Sequence, residues 1–185
     1  MYRSGYAVML LFVVCSAATA GQSGMEKTVM VGGAPMLPSK DIVDNAVNSK
    51  DHTTLVAAVK AAGLVDTLKG SGPFTVFAPT NAAFDKLPAG TVDNLVKPEN
   101  TATLTKILTF HVVAGRLDAK ALKEQIAKMG GKAVLKTVQG GDLTIMAKGD
   151  RLIVHDAQNG TSMVTIADVY QSNGVIHVVD TVLMP

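Results

Sequence analysis

The sequence contains few aromatic residues and no tryptophan. Phe and Tyr together make up 4% of its 185 residues, whereas hydrophobic residues of all kinds make up 48%. A chain of this length can form one domain with a substantial core. That core must therefore be built from Val, Leu, Ile, Ala and Met.

Charged residues are also scarce, at 17% against about 25% in an average globular protein. The 17 basic and 15 acidic residues give a net charge of +2, and no two basic residues are adjacent. Nucleic-acid binding needs clustered positive charge that neutralises phosphates. We therefore expect no nucleic-acid partner.

Cysteine occurs once, at Cys15. Residues 1–20 combine a positive charge at Arg3, an apolar stretch and small residues at 18–20, which is the pattern of a cleaved signal peptide. The apolar stretch is shorter than the about 20 residues that a membrane-spanning helix needs. We predict a leader over residues 1–20 and an exported chain, periplasmic or secreted, with no cysteine and no transmembrane segment.

A lipoprotein is the alternative for the same stretch. In that case Cys15 is acylated and anchors the mature chain to a membrane. Such processing favours a small residue directly before the cysteine, and Val14 is not small. The sequence favours the free exported chain.

Patterns typical of enzymes and metal sites are missing as well. The sequence has no G-x-S-x-G, no P-loop and no dinucleotide-binding glycine pattern. Its four histidines show none of the spacings of a metal site. We therefore expect a non-enzyme without cofactor or metal. A hydrolase remains a weaker alternative, and its candidate acid and base residues are His111, His177, Asp168 and Asp180.

The hydrophobic period changes along the chain. Residues 21–38 are rich in Gly and Pro, which predicts an extended arm laid on the domain, or a linker. Residues 39–131 show apolar residues at helical spacing. From residue 132, short β-branched runs alternate with Gly- and Asn-containing turns, which predicts an antiparallel meander. Helices followed by strands indicate one α+β domain over residues 39–185.

The helical half contains two start signals. Ser39 precedes the first apolar helical run, and Asp118 precedes the last one. Side-chain oxygens of Ser and Asp accept hydrogen bonds from the free N–H groups of a first helical turn. We predict helix N-caps at both residues.

The stretch from Phe74 to Phe84, with the sequence FTVFAPTNAAF, joins a predicted strand to a predicted helix. Its first four residues favour a strand, which we expect to end before Pro79 because proline cannot donate to a β-ladder. Thr80 and Asn81 then offer side-chain oxygens as caps for the next helix. The strand is expected to pair with the later sheet across a long stretch of sequence, so this corner organises the fold.

Three segments resemble the markers of the fasciclin domain family. They are the corner, the stretch LTFHVVAGRLDA at 108–119 and the closing segment NGVIHVVDTVL at 173–183. They occur in the family's order and spacing, and the resemblance covers about residues 27–185. The motif residues of the corner and the closing segment are Phe74, Thr75, Val76, Phe77, Ala78, Pro79, Thr80, Asn81, Phe84, Asn173, Gly174, Val175, Ile176, His177, Val178 and Asp180.

The resemblance implies a wedge-shaped β-sandwich with a cluster of helices packed at one side. It also implies adhesion or ligand binding outside the cell rather than catalysis. In animal members of the family, an Asp-Ile pair and a Tyr-His pair are implicated in integrin binding. These positions fall on Asp168 and Val169 and on Phe110 and His111, which makes the four residues candidate binding residues. The Ile and the Tyr are replaced here, and the surroundings of all four favour structural roles.

Two histidines lie inside the resembling segments. His111 follows an apolar helix face and precedes two valines, so we expect a hydrogen-bonded core residue. His177 alternates with Ile176 and Val178 along a strand. We expect it either to face solvent or to connect the closing strand to the corner.

The function that we predict is binding of a protein or polysaccharide at a cell surface or matrix, by a monomer or a weak homo-oligomer. The alternative is a periplasmic small-molecule binding protein, which predicts a closed apolar pocket.

Overall fold

A computed structural model of the chain describes residues 28–185. The predicted leader and the first part of the predicted arm, residues 21–27, lie outside the described residues. The described residues contain seven α-helices and nine β-strands. The helices are α1 Ile42–Ala46, α2 Thr53–Ala61, α3 Val65–Lys69, α4 Asn81–Asp85, α5 Thr91–Leu95, α6 Thr101–Phe110 and α7 Ala119–Lys128. The strands are β1 Val29–Val31, β2 Ala34–Met36, β3 Phe74–Pro79, β4 Val112–Ala114, β5 Lys132–Lys136, β6 Asp142–Lys148, β7 Arg151–His155, β8 Thr161–Gln171 and β9 Gly174–Val179.

Seven strands form one sheet, in the order β4-β3-β9-β8-β7-β6-β5. Strands β5 to β9 are the expected antiparallel meander. β3 joins the meander by parallel pairing with β9, in a register that sets Val76 opposite Ile176. The two ends of the sheet nearly meet, because Val113 in β4 bridges to Thr137 just after β5. The α+β fold class is confirmed, as a nearly closed sheet with helices packed on it.

Two hydrophobic cores are built around the central strands. Val76 and Ile176 pack into a core with the helices α1, α2, α3 and α6. Phe77 and Val179 pack into a second core, enclosed by the curved sheet and α7. Since successive side chains of a strand point to opposite faces, β3 and β9 contribute to both cores. Every residue of β9 is buried as a result.

The corner forms where the sequence predicts it, but its strand runs further. β3 includes Pro79, which lies opposite Val179. The N–H of Phe77 donates towards β4, to the His111 carbonyl at 2.9 Å, whereas the N–H of Thr80 donates to the Val179 carbonyl at 3.3 Å. By alternation, the N–H that Pro79 lacks would point to the side where the pairing with β4 has already ended. The prediction that the strand stops before Pro79 was therefore wrong.

The two predicted caps after the corner have different roles. Thr80 caps α4 as predicted, since its hydroxyl oxygen accepts from the Ala83 N–H at 3.3 Å. Asn81 does not cap α4. Its side-chain oxygen accepts from the Thr54 N–H at 3.1 Å, and its amide donates to the Lys50 carbonyl at 2.8 Å. Asn81 therefore caps α2, which sequence spacing alone does not reveal.

The caps of the first and last helices differ in outcome. Asp118 caps α7, where its carboxylate accepts from the Ala121 N–H at 2.7 Å. Ser39 does not cap α1, because that helix begins only at Ile42. Asp41 is the N-cap instead, and its carboxylate accepts from the Asp44 N–H at 2.7 Å. Both residue types favour this position, and the one next to the apolar run occupies it.

The described part of the predicted arm is a β-hairpin. β1 and β2 pair antiparallel, with Val29 opposite Met36. Val31 and Met36 are buried in the core shared with the helices. The turn at Gly32 approaches the domain so closely that a Cβ there would lie 2.4 Å from the Ser49 hydroxyl oxygen. This segment is therefore packed into the domain.

Candidate functional site

His111 lies directly after α6 and is buried, with 2% of its surface exposed. Its Nδ1 donates to the Ile107 carbonyl at 2.8 Å, and its Nε2 accepts from the Leu183 N–H at 3.0 Å. Burial lowers the pKa of His111 to about 4, although the Ile107 hydrogen bond and the charge of Asp156 act in the opposite direction. The imidazole is therefore neutral at pH 7 and joins α6 to the end of the chain.

Phe110, which precedes His111 in the candidate binding pair, is completely buried. It belongs to the core enclosed by the sheet. Its ring packs on the turn at Gly141, where a Cβ would lie 2.6 Å from the ring. In this conformation Phe110 presents no surface to a partner.

His177 is fully buried in β9, so the expectation of a solvent-facing ring was wrong and that of a connection to the corner is confirmed. Its ring stacks on Phe77, with 5.6 Å between centroids. Nε2 donates to the Leu117 carbonyl at 2.7 Å, and Nδ1 accepts from the Asp168 N–H at 3.5 Å. Burial lowers the pKa of His177, although the Leu117 hydrogen bond and the charges of Asp168 and Asp118 oppose the shift.

Asp168 interrupts the regular pairing of β8. Its φ of 58° lies in the left-handed region, and the register shifts on both sides of Ile166. Asp tolerates this conformation better than most residues do. The Asp168 carboxylate accepts from the Ala119 N–H at 2.6 Å, in the first turn of α7. Asp168 is partly exposed, whereas Val169 is 1% exposed.

Polar side chains surround Asp168 at this edge of the fold. The Tyr170 hydroxyl donates to the Asp118 carboxylate at 3.2 Å. The Arg116 guanidinium lies 5.5 Å from the centre of the Tyr170 ring and donates to the Gln171 carbonyl at 2.6 Å. We call Arg116, Asp118, Asp168 and Tyr170 the Asp168 surface.

The residues expected of a hydrolase do not form an acid/base pair. The ring nitrogens of His111 and His177 are all hydrogen-bonded to backbone groups. Asp180 accepts instead from the Met163 N–H at 2.8 Å and lies 3.5 Å from Lys86. Partial burial acts to raise the pKa of Asp180, but its hydrogen bonds and the charge of Lys86 outweigh burial and lower it.

Within residues 28–185, His, Cys, Asp and Glu do not gather into any group of three or more that suits a metal ion. Over the same residues, none of the helices has the length and apolar character needed to cross a membrane.

An apolar cavity of about 60 Å³ lies between the helices α1 to α3 and the strands β3 and β9. His52 lines it and is 2% exposed. Its Nδ1 lies 2.9 Å from the Ser49 hydroxyl oxygen. Burial lowers the pKa of His52, although the charge of Asp51 and a hydrogen bond to the Ala78 backbone oppose the shift. No motif in the sequence indicates a role for His52; the one signal for it is a serine three residues before a histidine that opens an apolar helix.

The fold defines a class: a mixed helix-and-strand domain around one nearly closed seven-stranded sheet, in which His111 and His177 make internal hydrogen bonds. The chain belongs to the fasciclin domain family, whose pattern it matches over residues 50–185.

Related proteins and a solved structure agree with this assignment. The chain is 44% identical to protein sll1483 of Synechocystis over 91% of its own length and 86% of that protein. It is 36% identical to the cell surface glycolipoprotein MPB83 of Mycobacterium bovis, over 83% of its length and 64% of that protein. Its fold is similar to a pair of FAS1 domains from the insect cell adhesion molecule fasciclin I, with a TM-score of 0.69 and 20% identity over 79% of this chain and 51% of that one.

Proposed function

We propose that this chain is an exported, non-catalytic domain that binds a protein or a polysaccharide at a cell surface or matrix. Membership of the fasciclin domain family supports the proposal. So does the 36% identity to MPB83, which is a cell surface glycolipoprotein. The use of His111 and His177 for internal hydrogen bonds argues against a catalytic role for either.

The contact surface that we propose is the Asp168 surface. The observation that carries this choice is the difference in exposure among the four candidate binding residues. Phe110, His111 and Val169 are buried, whereas Asp168 reaches the surface. A carboxylate, a guanidinium and a phenol together can hydrogen-bond both protein and sugar partners. The three buried residues then act by holding this surface in place.

The strained backbone at Asp168 is compatible with such a role. Residues held in sparsely populated backbone conformations cluster at functional sites. Here the conformation also lets Asp168 stabilise the first turn of α7, because its carboxylate accepts from the Ala119 N–H. The two roles can be separated by Asp168→Asn, which retains a side-chain oxygen for Ala119 and removes the charge.

The test is binding of residues 21–185 to whole cells, surface polysaccharides and surface proteins of the source organism. We expect saturable binding, reduced at least tenfold by Asp168→Asn and unchanged by Asp93→Asn. Asp93 is an exposed carboxylate on α5 and provides the matched control for charge. Binding that survives Asp168→Asn would reject the Asp168 surface, and absence of binding to all probes would reject the adhesive function.

Export is a separate part of the proposal. We expect an intact mass that corresponds to residues 21–185 in the soluble fraction of the envelope. A mass that begins at Cys15 and includes acyl chains, found in the membrane fraction, would replace the free domain by a membrane-anchored one.

A further inference from the structure

The outward face of strands β5 to β8 carries apolar side chains that belong to neither core of residues 28–185. The inner face of these strands packs into the core enclosed by the sheet, through residues such as Leu135 and Val154. Because side chains alternate along a strand, the residues between the inner ones point outwards. Four outward residues are apolar and at least partly exposed: Val134, Met146, Ile153 and Met163. Val134 is 50% exposed.

The strand register places these apolar side chains next to basic ones. Lys132 lies opposite Met146, Met146 opposite Ile153, and Ile153 opposite Met163, so one row crosses all four strands. At the other end of this row, the Arg151 guanidinium donates to the Met163 sulfur at 3.5 Å. We call the outward residues of β5 to β7, together with Met163 of β8, the outer sheet face.

The outer sheet face is positively charged. Its ionic residues are Lys132, Lys136, Asp142, Lys148 and Arg151, and Lys136 forms a salt bridge with Asp142 at 2.7 Å. The net charge of the face is therefore +3, or +2 when Asp150 in the turn after β6 is included. Residues 28–185 contain 15 basic and 14 acidic residues, so the rest of this range is net negative. The fold thus gathers on one face the basic residues that the sequence keeps apart.

Basic residues beside exposed apolar ones are complementary to the surface of an anionic membrane. Anionic headgroups attract Lys and Arg, and apolar side chains gain from burial at the boundary between headgroups and acyl chains. Methionine suits this boundary because its side chain is flexible and adapts to irregular surroundings. Strand β6 is paired along both edges, so the main chain beneath the centre of the face is already hydrogen-bonded.

Two other occupants match the outer sheet face less well. A second copy of the chain would bring two positively charged faces together, which is unfavourable. An acidic polysaccharide matches the charge of the face but not its apolar row. An anionic membrane matches both.

We propose that the outer sheet face docks this chain on membranes that contain anionic lipids, with its basic residues at the headgroups and its apolar row at the boundary with the acyl chains. This contact is independent of the proposed adhesive function, because the outer sheet face includes none of the residues of the Asp168 surface. Asp168→Asn should therefore leave membrane binding unchanged.

The experiment measures binding of residues 21–185 to lipid vesicles by co-sedimentation. The vesicles contain equal parts of phosphatidylcholine and phosphatidylglycerol, and vesicles of phosphatidylcholine alone are the control for charge. We expect binding to the anionic vesicles only. This binding should weaken as sodium chloride is added, because salt screens the charges. Absence of binding to the anionic vesicles at low salt would overturn the proposal.

Two matched pairs of variants locate the contact. Lys132→Gln removes a charge from the outer sheet face, and Lys106→Gln removes one from an exposed position on α6. We expect about fivefold weaker binding for Lys132→Gln, the usual contribution of one basic residue near an anionic surface, and no change for Lys106→Gln. Val134→Thr keeps the shape of the side chain but makes it polar. Its control is Val47→Thr, because both valines are 50% exposed, and only Val134→Thr should weaken binding several-fold.

The variants also separate the membrane from the other occupants. Binding that weakens in Lys132→Gln but not in Val134→Thr would indicate a purely ionic contact, as with an acidic polysaccharide, and would overturn the proposal. So would equal weakening in the control variants, or a dimer in sedimentation velocity that Val134→Thr dissociates. Circular dichroism checks the fold of each variant, and Ile153→Thr takes the place of Val134→Thr if that variant does not fold. Failure of vesicle binding leaves the cell-binding test of the Asp168 surface intact, so the two proposals fail separately.

Discussion

The side-chain oxygen of Asn81 lies 3.1 Å from the backbone nitrogen of Thr54, in the first turn of α2. The amide nitrogen of the same side chain donates to the Lys50 carbonyl at 2.8 Å. Both the oxygen and the nitrogen of the amide therefore bond to the segment that begins α2. The corner after β3 therefore does more than start its own helix. It also fixes the beginning of a helix that precedes it by 27 residues in the chain.

Asn81→Ala is expected to lower the free energy of unfolding by about 1–2 kcal/mol, the usual effect of removing a helix cap. Denaturant unfolding measures the loss, and amide hydrogen exchange locates it. The Thr54 amide should exchange faster in Asn81→Ala. In the control Thr80→Ala, Thr54 should keep its protection, and the Ala83 amide should lose only part of its own, because it also donates to the Thr80 carbonyl at 2.9 Å. Loss of protection at Ala83 rather than Thr54 in Asn81→Ala would show that Asn81 caps α4 after all.

The role of Asn81 illustrates what local sequence patterns can and cannot predict. The strand–helix corner, the cap at Asp118 and the hairpins of the meander follow from neighbouring residues, and all of them form. The partner of Asn81 depends on where α2 packs, which is a tertiary property. Spacing therefore assigned Asn81 to the nearer helix.

The two central strands show a second limit. Alternation along a strand predicts one buried face and one exposed face when one side of the sheet is open to solvent. Here the helices cover one face and the curved sheet encloses the other, so His177 is buried together with Ile176. Similarly, β8 runs from Thr161 to Gln171 and passes through Asp168, whose backbone is left-handed. Because the strand is irregular there, its second half does not continue a period-2 pattern in the sequence.

Phe77→Ala is expected to destabilise the protein by about 3–5 kcal/mol, as for other large side chains removed from a core. Phe77 is fully buried and stacks on His177. Phe74→Ala is the matched control, because Phe74 lies on the same strand and is only partly buried. Urea unfolding should show a clearly smaller loss for the control. Equal losses would contradict the prediction that complete burial and stacking make Phe77 the more important of the two side chains.

Gly174→Ala is expected to destabilise the protein by steric overlap. A Cβ at Gly174 would lie 2.1 Å from the Phe74 carbonyl oxygen, which is backbone and cannot move aside without disturbing β3. We expect a loss of about 3 kcal/mol, the upper end for overpacking. The control is Gly149→Ala, where φ is 61° but a Cβ would meet no atom within 4 Å. That change should produce only the about 1–2 kcal/mol of a left-handed backbone, and a smaller loss at Gly174 than at Gly149 would contradict the prediction.

The stability of the protein should fall as the pH is lowered from about 6.5 to about 4, and His111 should be a main cause. Burial lowers the pKa of His111 from 6.5 to about 4 in the folded state. Between these values the unfolded chain binds a proton that the folded chain does not, so the free energy of unfolding rises with pH. The contribution of His111 is therefore complete above the unfolded pKa and is lost as the pH approaches 4. Its size is about 3 kcal/mol, at 1.36 kcal/mol for each unit of pKa.

This assignment is tested by urea unfolding of the wild type and of His111→Gln at a series of pH values between 7 and 4. Protonation of Nε2 ends its acceptance of the Leu183 N–H, and a glutamine cannot titrate in this range. We therefore expect His111→Gln to be less stable at pH 7 but to lose less stability than the wild type on acidification. His155→Gln provides the matched histidine-to-glutamine control at a partly exposed position. An identical pH slope in wild type and His111→Gln would show that the acid sensitivity arises elsewhere.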